Sequence, residues 1–165
     1  VSSVIINPGV ILGPGFFNAG SGLLFKRVHK GLNYYTSGVS GYVGVKDVIK
    51  SMVYLMNSDH KNERFIMVAE NLSFLEFITL ISNAFNRSPP KKAIGSLMLS
   101  IAWRFDWLKH LFTSKKRKLT KNLCKTLMKK SYYSSEQFLE ADSSFKFKPI
   151  SAVVSEVCQI FSKNV

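Results

Sequence analysis

The opening of the chain constrains its fold more than any other stretch. Val1-Ser2-Ser3-Val4-Ile5-Ile6 is an apolar, β-branched run that stops abruptly at Asn7-Pro8-Gly9 and continues through Val10-Ile11-Leu12 to Gly13-Pro14-Gly15. A run of this kind reads as a fully buried strand, and such strands belong to sheets covered on both faces, as in parallel α/β folds. The two Pro-Gly steps mark turns. A strand ending in Pro-Gly offers backbone rather than side chains at the carboxyl edge of its sheet, where open α/β folds bind ligands. A chain opening without Met, inside a strand, also reads as a piece of something longer.

The rest of the chain alternates before turning helical. Asn18 to Lys30 reads as a helix, with Leu23, Leu24, Arg27 and Val28 sharing spacing and Gly31 as its stop. Leu32 to Thr36 and Gly41 to Val45 read as short strands. Asp47 is the expected N-cap of a helix from Val48 to Asn57, with Val48, Met52, Leu55 and Met56 on its inner face. Arg64 to Ala69 is another strand. Ser73 with Glu76 forms an S-x-x-E capping box for a helix to Phe85, and Ser88-Pro89-Pro90 breaks the chain. Helices are expected over Ile94 to Phe112 (amphipathic, carrying both tryptophans), Thr120 to Lys130, Ser134 to Glu140 and Ile150 to Phe161. The fold class is α/β: a few strands alternating with helices, then a mainly helical part. The expected division is 1–15 strand and loop, 16–92 mixed α/β, and 93–165 helical tail.

Composition narrows the function classes. The 165 residues hold 23 Lys plus Arg against 10 Asp plus Glu, a formal charge of +13. With 13% aromatic residues the chain has the material of a folded core, not of a disordered segment. Cys124 and Cys158 cannot build a disulfide scaffold, and no Cys/His spacing makes a zinc site, so a reduced, cytoplasmic protein without metal is expected. No run approaches the ~20 apolar residues of a membrane span.

Four segments in order resemble one known family. Asn7-Pro8-Gly9-Val10-Ile11-Leu12-Gly13-Pro14-Gly15 resembles the R-P-g-x-v-x-G-P-G signature of extended short-chain dehydrogenases, the NAD-dependent epimerase/dehydratase family. Gly41-Tyr42-Val43-Gly44-Val45-Lys46-Asp47-Val48 is similar to its G-x-V-x-V-x-D-V strand-to-helix step. Glu63 to Ala69, followed by Asn71 to Glu76, resembles the next strand and capped helix. Tyr132 to Leu139 resembles the near-terminal segment. Asn7 stands where the family usually has Arg, and Gly44 where it often has an acidic residue or His.

The resemblance implies a carboxyl-terminal half: the substrate-binding portion of an NAD(P)-dependent epimerase, dehydratase or carbonyl reductase, inactive without its upstream half. It places Pro8, Gly9 and Val10 against the nicotinamide of NAD or NADP. Leu12, Phe16, Asn18, Arg27, Tyr34 and Tyr35 fall on the side of a small-molecule substrate, one able to carry a nucleotide or phosphate. The catalytic Tyr and Lys are expected upstream of Val1. Consistently, no glycine-rich dinucleotide turn occurs in the chain, and Gly13-x-Gly15 and Gly20-x-Gly22 lack the third glycine. Tyr42-x-x-x-Lys46 matches the family's catalytic spacing as text only. On a strand at ~3.3 Å per residue those two positions lie about 13 Å apart.

From Lys109 to Lys130 there are nine Lys or Arg and no acid, including Lys115-Lys116-Arg117-Lys118. This run supports a second reading, an autonomous non-catalytic module docking on an acidic membrane or partner. Nucleic acid is disfavoured, since no RNA-binding signature or zinc finger accompanies the charge. A homodimer pairing through Val1 to Ile6 is expected from the exposed strand edge. His29, His60 and His110 lie far apart and read as surface or packing residues.

Overall fold

The structure is a computed structural model that describes residues 3–113 and 120–163. Its strands form three small sheets. β1 (Ile5–Pro8) pairs in parallel with β5 (Arg64–Met67). β4 (Val39–Gly44) is central to a second sheet, with β2 (Val10–Leu12) parallel on one side and β6 (Glu70–Ser73) antiparallel on the other. β3 (Tyr34–Tyr35) and β7 (Lys92–Ala93) pair in parallel. The helices are α1 (Gly22–His29), α2 (Val45–Met56), α3 (Phe74–Ala84), α4 (Ser96–Thr113), α5 (Lys121–Met128), α6 (Glu136–Ala141) and α7 (Ile150–Lys163).

Residues 5–12 border two sheets in succession. β1 belongs to the β5 sheet, and immediately after Gly9 the same run, as β2, joins β4. Gly9 makes the change of partner possible, because a Cβ there would sit 2.5 Å from the Gly41 carbonyl oxygen.

Two cores result. In the larger, α1, α3 and α7 close over the β2–β4–β6 sheet. Phe25, Val28, Tyr42, Phe77, Ile81, Ile150, Val154 and Val157 are all buried there. In the smaller, Leu55, Phe65, Met67 and Phe138 join α2 and α6 to the β1–β5 pair. Each such side chain removed from water contributes about 1.5–3 kcal/mol. From the carboxyl-terminal third, α7 returns to complete the larger core.

Several expectations need correction. The strand from Val1 to Ile6 is not fully buried: among described residues it begins at Ile5, which is 44% exposed. Among the described residues β1 has one strand partner, and the smaller core covers the face carrying Ile6, Phe65 and Met67. Ile5, Asn7, Arg64 and Ile66, which alternate with them, face outward. Asp47 is not an N-cap; Gly44 is, and Asp47 lies buried in the first turn, where its Oδ2 accepts the N–H of Lys148 at 2.8 Å. Met52 and Met56 are exposed, while Val48, Ser51 and Leu55 face inward. α1 is shorter than expected because a turn takes up Asn18 to Ser21, with Gly20 at φ +54°. Its inner face is Gly22, Phe25 and Val28, which leaves Arg27 exposed. The capping box of α3 forms as read: Ser73 Oγ accepts the Glu76 N–H, and the Glu76 carboxylate accepts from the Ser73 N–H and hydroxyl. Those bonds hold the Glu76 carboxyl below its usual range.

Among the described residues no helix is long and apolar enough to cross a membrane. Lys115 to Lys118, like Val1 and Ser2, lie outside the described residues.

Candidate functional site

The carboxyl ends of β1 and β5 open on a cleft of about 420 Å³. Its floor is the run Asn7-Pro8-Gly9-Val10, and its walls are Ser40, Ile66, Val68 and Tyr133. Pro8 ends β1 where its missing N–H breaks no further ladder bond. The next N–H, that of Gly9, donates to the Met67 carbonyl at 3.0 Å and closes the sheet.

The walls are held from below. Ser135, buried at the start of α6, accepts the Val68 N–H at 2.7 Å and donates to the Val68 carbonyl at 2.9 Å. One hydroxyl thus fastens the link between β5 and β6. Tyr133 is fixed by Asn71 on β6: the Tyr133 N–H donates to Asn71 Oδ1 at 3.0 Å, and Asn71 Nδ2 donates to the Tyr133 carbonyl at 2.8 Å. Together these bonds tie the segment before α6 to the sheet and leave the Tyr133 ring beside the cleft.

The cleft carries one amide, one hydroxyl and one phenol, with no charged side chain among its lining residues. It holds no nucleophile–base pair. Such a surface can bind and orient a flat, partly apolar group, but it supplies no acid–base machinery of its own.

Of the residues singled out in the sequence, Pro8, Gly9 and Val10 are brought together here. The other six lie outside the cleft. Leu12 is fully buried in the larger core and exposes no surface, whereas Phe16 is 86% exposed. Asn18 Oδ1 accepts from Lys26 Nζ at 2.6 Å. Arg27 is exposed on α1. Tyr34 is partly exposed under the Lys92 ammonium, 5.9 Å from its ring centroid, and Tyr35 packs against the larger core. Sequence reasoning missed Ser40, Ile66, Val68 and Tyr133. Ile66 and Val68 lie within the strand read from Arg64 to Ala69, and strand alternation could have flagged them; Ser40 was left in the connection before Gly41, whereas β4 starts at Val39. Tyr133 is set by a long-range contact that local sequence does not encode.

Tyr42 and Lys46 are no catalytic pair. Tyr42 is 1% exposed, its hydroxyl has no partner among described residues, and burial pushes its phenol up. Lys46 instead bonds Glu156, which also accepts from Lys148 at 2.6 Å. Burial raises the Cys158 thiol to about 12, an inert packing residue. His29 packs on Phe85 and Phe161, and His60 bonds Glu63 at 2.9 Å. Among the described residues no cluster of His, Cys, Asp or Glu could hold a metal.

Comparison with known proteins finds no matching family model and no matching curated sequence. Solved structures match clearly. A nucleoside-diphosphate-sugar epimerase from Pseudomonas aeruginosa superimposes with a TM-score of 0.74 at 15% identity, over 98% of this chain and 48% of its own. A human epimerase family protein, solved with NADPH, gives 0.71 at 15% identity over 94% of this chain and 48% of its own. The UDP-glucose 4-epimerase of Thermotoga maritima, solved with UDP-glucose, gives 0.67 at 12% identity over 99% and 47%. The chain spans about half the length of each, and its likeness is one of fold: that of the NAD-dependent epimerase/dehydratase type of short-chain dehydrogenase.

Proposed function

We propose that this chain supplies the substrate-side half of an NAD(P)-dependent epimerase, dehydratase or carbonyl reductase, and that it works only with an upstream nucleotide-binding half. One observation carries the reading: the parallel pair β1 and β5 ends at Pro8-Gly9-Val10 on a cleft with no acid–base machinery. That is the binding edge of half an α/β sheet.

The residues present fit one end of a dinucleotide. Pro8, Ile66 and Val68 offer flat apolar walls to a nicotinamide, with Ser40, Asn7 and Tyr133 as polar neighbours. No glycine-rich turn or cation lines the cleft to take the pyrophosphate, which falls to the upstream half. When bound, the nicotinamide supplies and takes back a hydride. This chain's own part is to exclude water from the ring with Pro8 and Val68, and to keep the walls at fixed spacing through Ser135 and Asn71.

The test is NADH and NADPH titration, followed by nucleotide fluorescence, of this chain and of the protein extended by its upstream coding sequence. Binding confined to the extended protein supports the reading. Equal binding by both, or an upstream sequence without a glycine-rich turn and a Tyr-x-x-x-Lys pair, overturns it.

A further inference from the structure

The helix α4 is apolar on the side away from its support. It packs on α5 through the face of Leu99, whose carbonyl receives the Cys124 thiol at 3.8 Å. Asp106, seven residues on, shares that face, so the helix's one acid lies on its supported side. On the opposite face Leu97, Ile101, Phe105 and Leu108 form a ridge. Leu97 is 81% exposed and Phe105 67%. A continuous apolar face of this length on a surface marks an interaction site.

The flank of the ridge is cationic. Lys121, Lys125 and Lys129 recur at i, i+4 and i+8 along α5, and with Arg104 of α4 they line a groove of about 350 Å³ between the two helices. The guanidinium of Arg104 lies 4.9 Å from the Trp103 ring centroid. The sequence from Lys109 to Lys130 carries six further cations and no acid. This charge selects the occupant. A second copy would set like charge against like, whereas an anionic bilayer accepts both halves of the surface: hydrocarbon for the ridge, phosphate for the lysines.

We infer that the α4 ridge and the α5 lysine row form a peripheral docking surface for an anionic lipid bilayer. The inference is independent of the reading of the cleft. Trp103 and Trp107 are the only tryptophans in the chain, both on α4, so intrinsic fluorescence reports the surface directly.

The experiment uses the protein at the length the cell makes, with any upstream tryptophans replaced by Phe. It is titrated with vesicles of phosphatidylcholine alone and with 30% phosphatidylserine. Expected are a blue shift and co-sedimentation with the anionic vesicles only, weakened as salt rises. Replacing Lys121, Lys125 and Lys129 by Gln should weaken binding roughly 100-fold. Phe105→Ser with Leu108→Ser should weaken it roughly tenfold or more, with unchanged circular dichroism. Absence of a shift, equal binding to neutral vesicles, or indifference to the lysine changes overturns the proposal. So does a shift given by an oligonucleotide and not by vesicles.

Discussion

Glu70, the first residue of β6, accepts at 2.8 Å the backbone N–H of Ile150, the first residue of α7, across eighty positions of chain. The acceptor is a carboxylate and the donor an otherwise orphaned helix N-terminal amide, so the bond joins capping with dipole stabilisation. Asp47 does the same for Lys148 two residues earlier. Glu70→Ala is expected to lower unfolding free energy by roughly 1–2 kcal/mol, and Glu70→Gln by less, since the amide oxygen still accepts. Urea midpoints at constant slope would show this order. Equal losses in the two variants would mean that the hydrogen bond is not what the carboxylate contributes.

Gly9→Ala should be a damaging single-methyl change. Its Cβ meets backbone, the Gly41 oxygen and carbon at 2.5 and 2.8 Å, not a side chain that could swing aside. About 1–3 kcal/mol of overpacking is expected, with β1 and β4 forced apart at the cleft floor. Thermal melting of the variant tests it, with Gly95→Ala, where a Cβ meets nothing within 4 Å, as the control.

Acid should remove one surface contribution in a definite window. Hydrogen bonds from Lys148 and Lys46 hold the Glu156 carboxyl at about 2, below its ordinary 4.5. A depressed carboxylate stabilises the fold above its unfolded value, and that stability fades as pH falls from about 4.5 toward 2. The group is partly exposed and solvent screens it, so the effect is small, at most about 1 kcal/mol. Glu156→Gln should flatten the stability–pH curve in that window and leave other pH values parallel to the parent.

Tyr42→Phe should be neutral to mildly stabilising, by up to about 1 kcal/mol, because it removes a buried hydroxyl with no partner among described residues. Turnover by the extended protein should not change. A large loss of turnover without loss of stability would restore Tyr42 and Lys46 as a chemical pair.

The outer edge of β1 has no strand partner among the described residues, and Ile5 stands exposed beside it. Self-association of the isolated chain through this edge is expected, and Ile5→Lys should suppress it. Sedimentation velocity at rising concentration decides the matter: identical profiles for parent and variant would discard the edge as the contact.

What the sequence disclosed was local. The Ser73–Glu76 box, the strand-to-helix step within Gly41 to Val48 (though not its cap, which is Gly44 and not Asp47) and the Pro8-Gly9 end of β1 are each written in a few adjacent residues. β6 and β7 were not legible: Glu70-Asn71-Leu72-Ser73 has the composition of a loop and is a strand because β4 lies beside it. The same holds at the cleft. Pro8, Gly9 and Val10 were readable as a turn with a ligand edge. Tyr133 comes to that edge only through Asn71, sixty-two positions away. Leu12 shares its face of β2 with Val10, and both pack on the larger core; Val10 also borders the cleft because it directly follows the Pro8-Gly9 turn.

The run from Ile5 to Leu12 changes sheets at Gly9 without a loop between them. Both walls of the cleft are therefore anchored to one length of backbone. The link from β5 through Val68 and Ala69 into β6 joins the same two sheets a second time, so the walls have little slack with which to slide. A shift of β4 therefore reaches the Pro8-Gly9-Val10 edge through backbone alone, with no side chain needed to relay it.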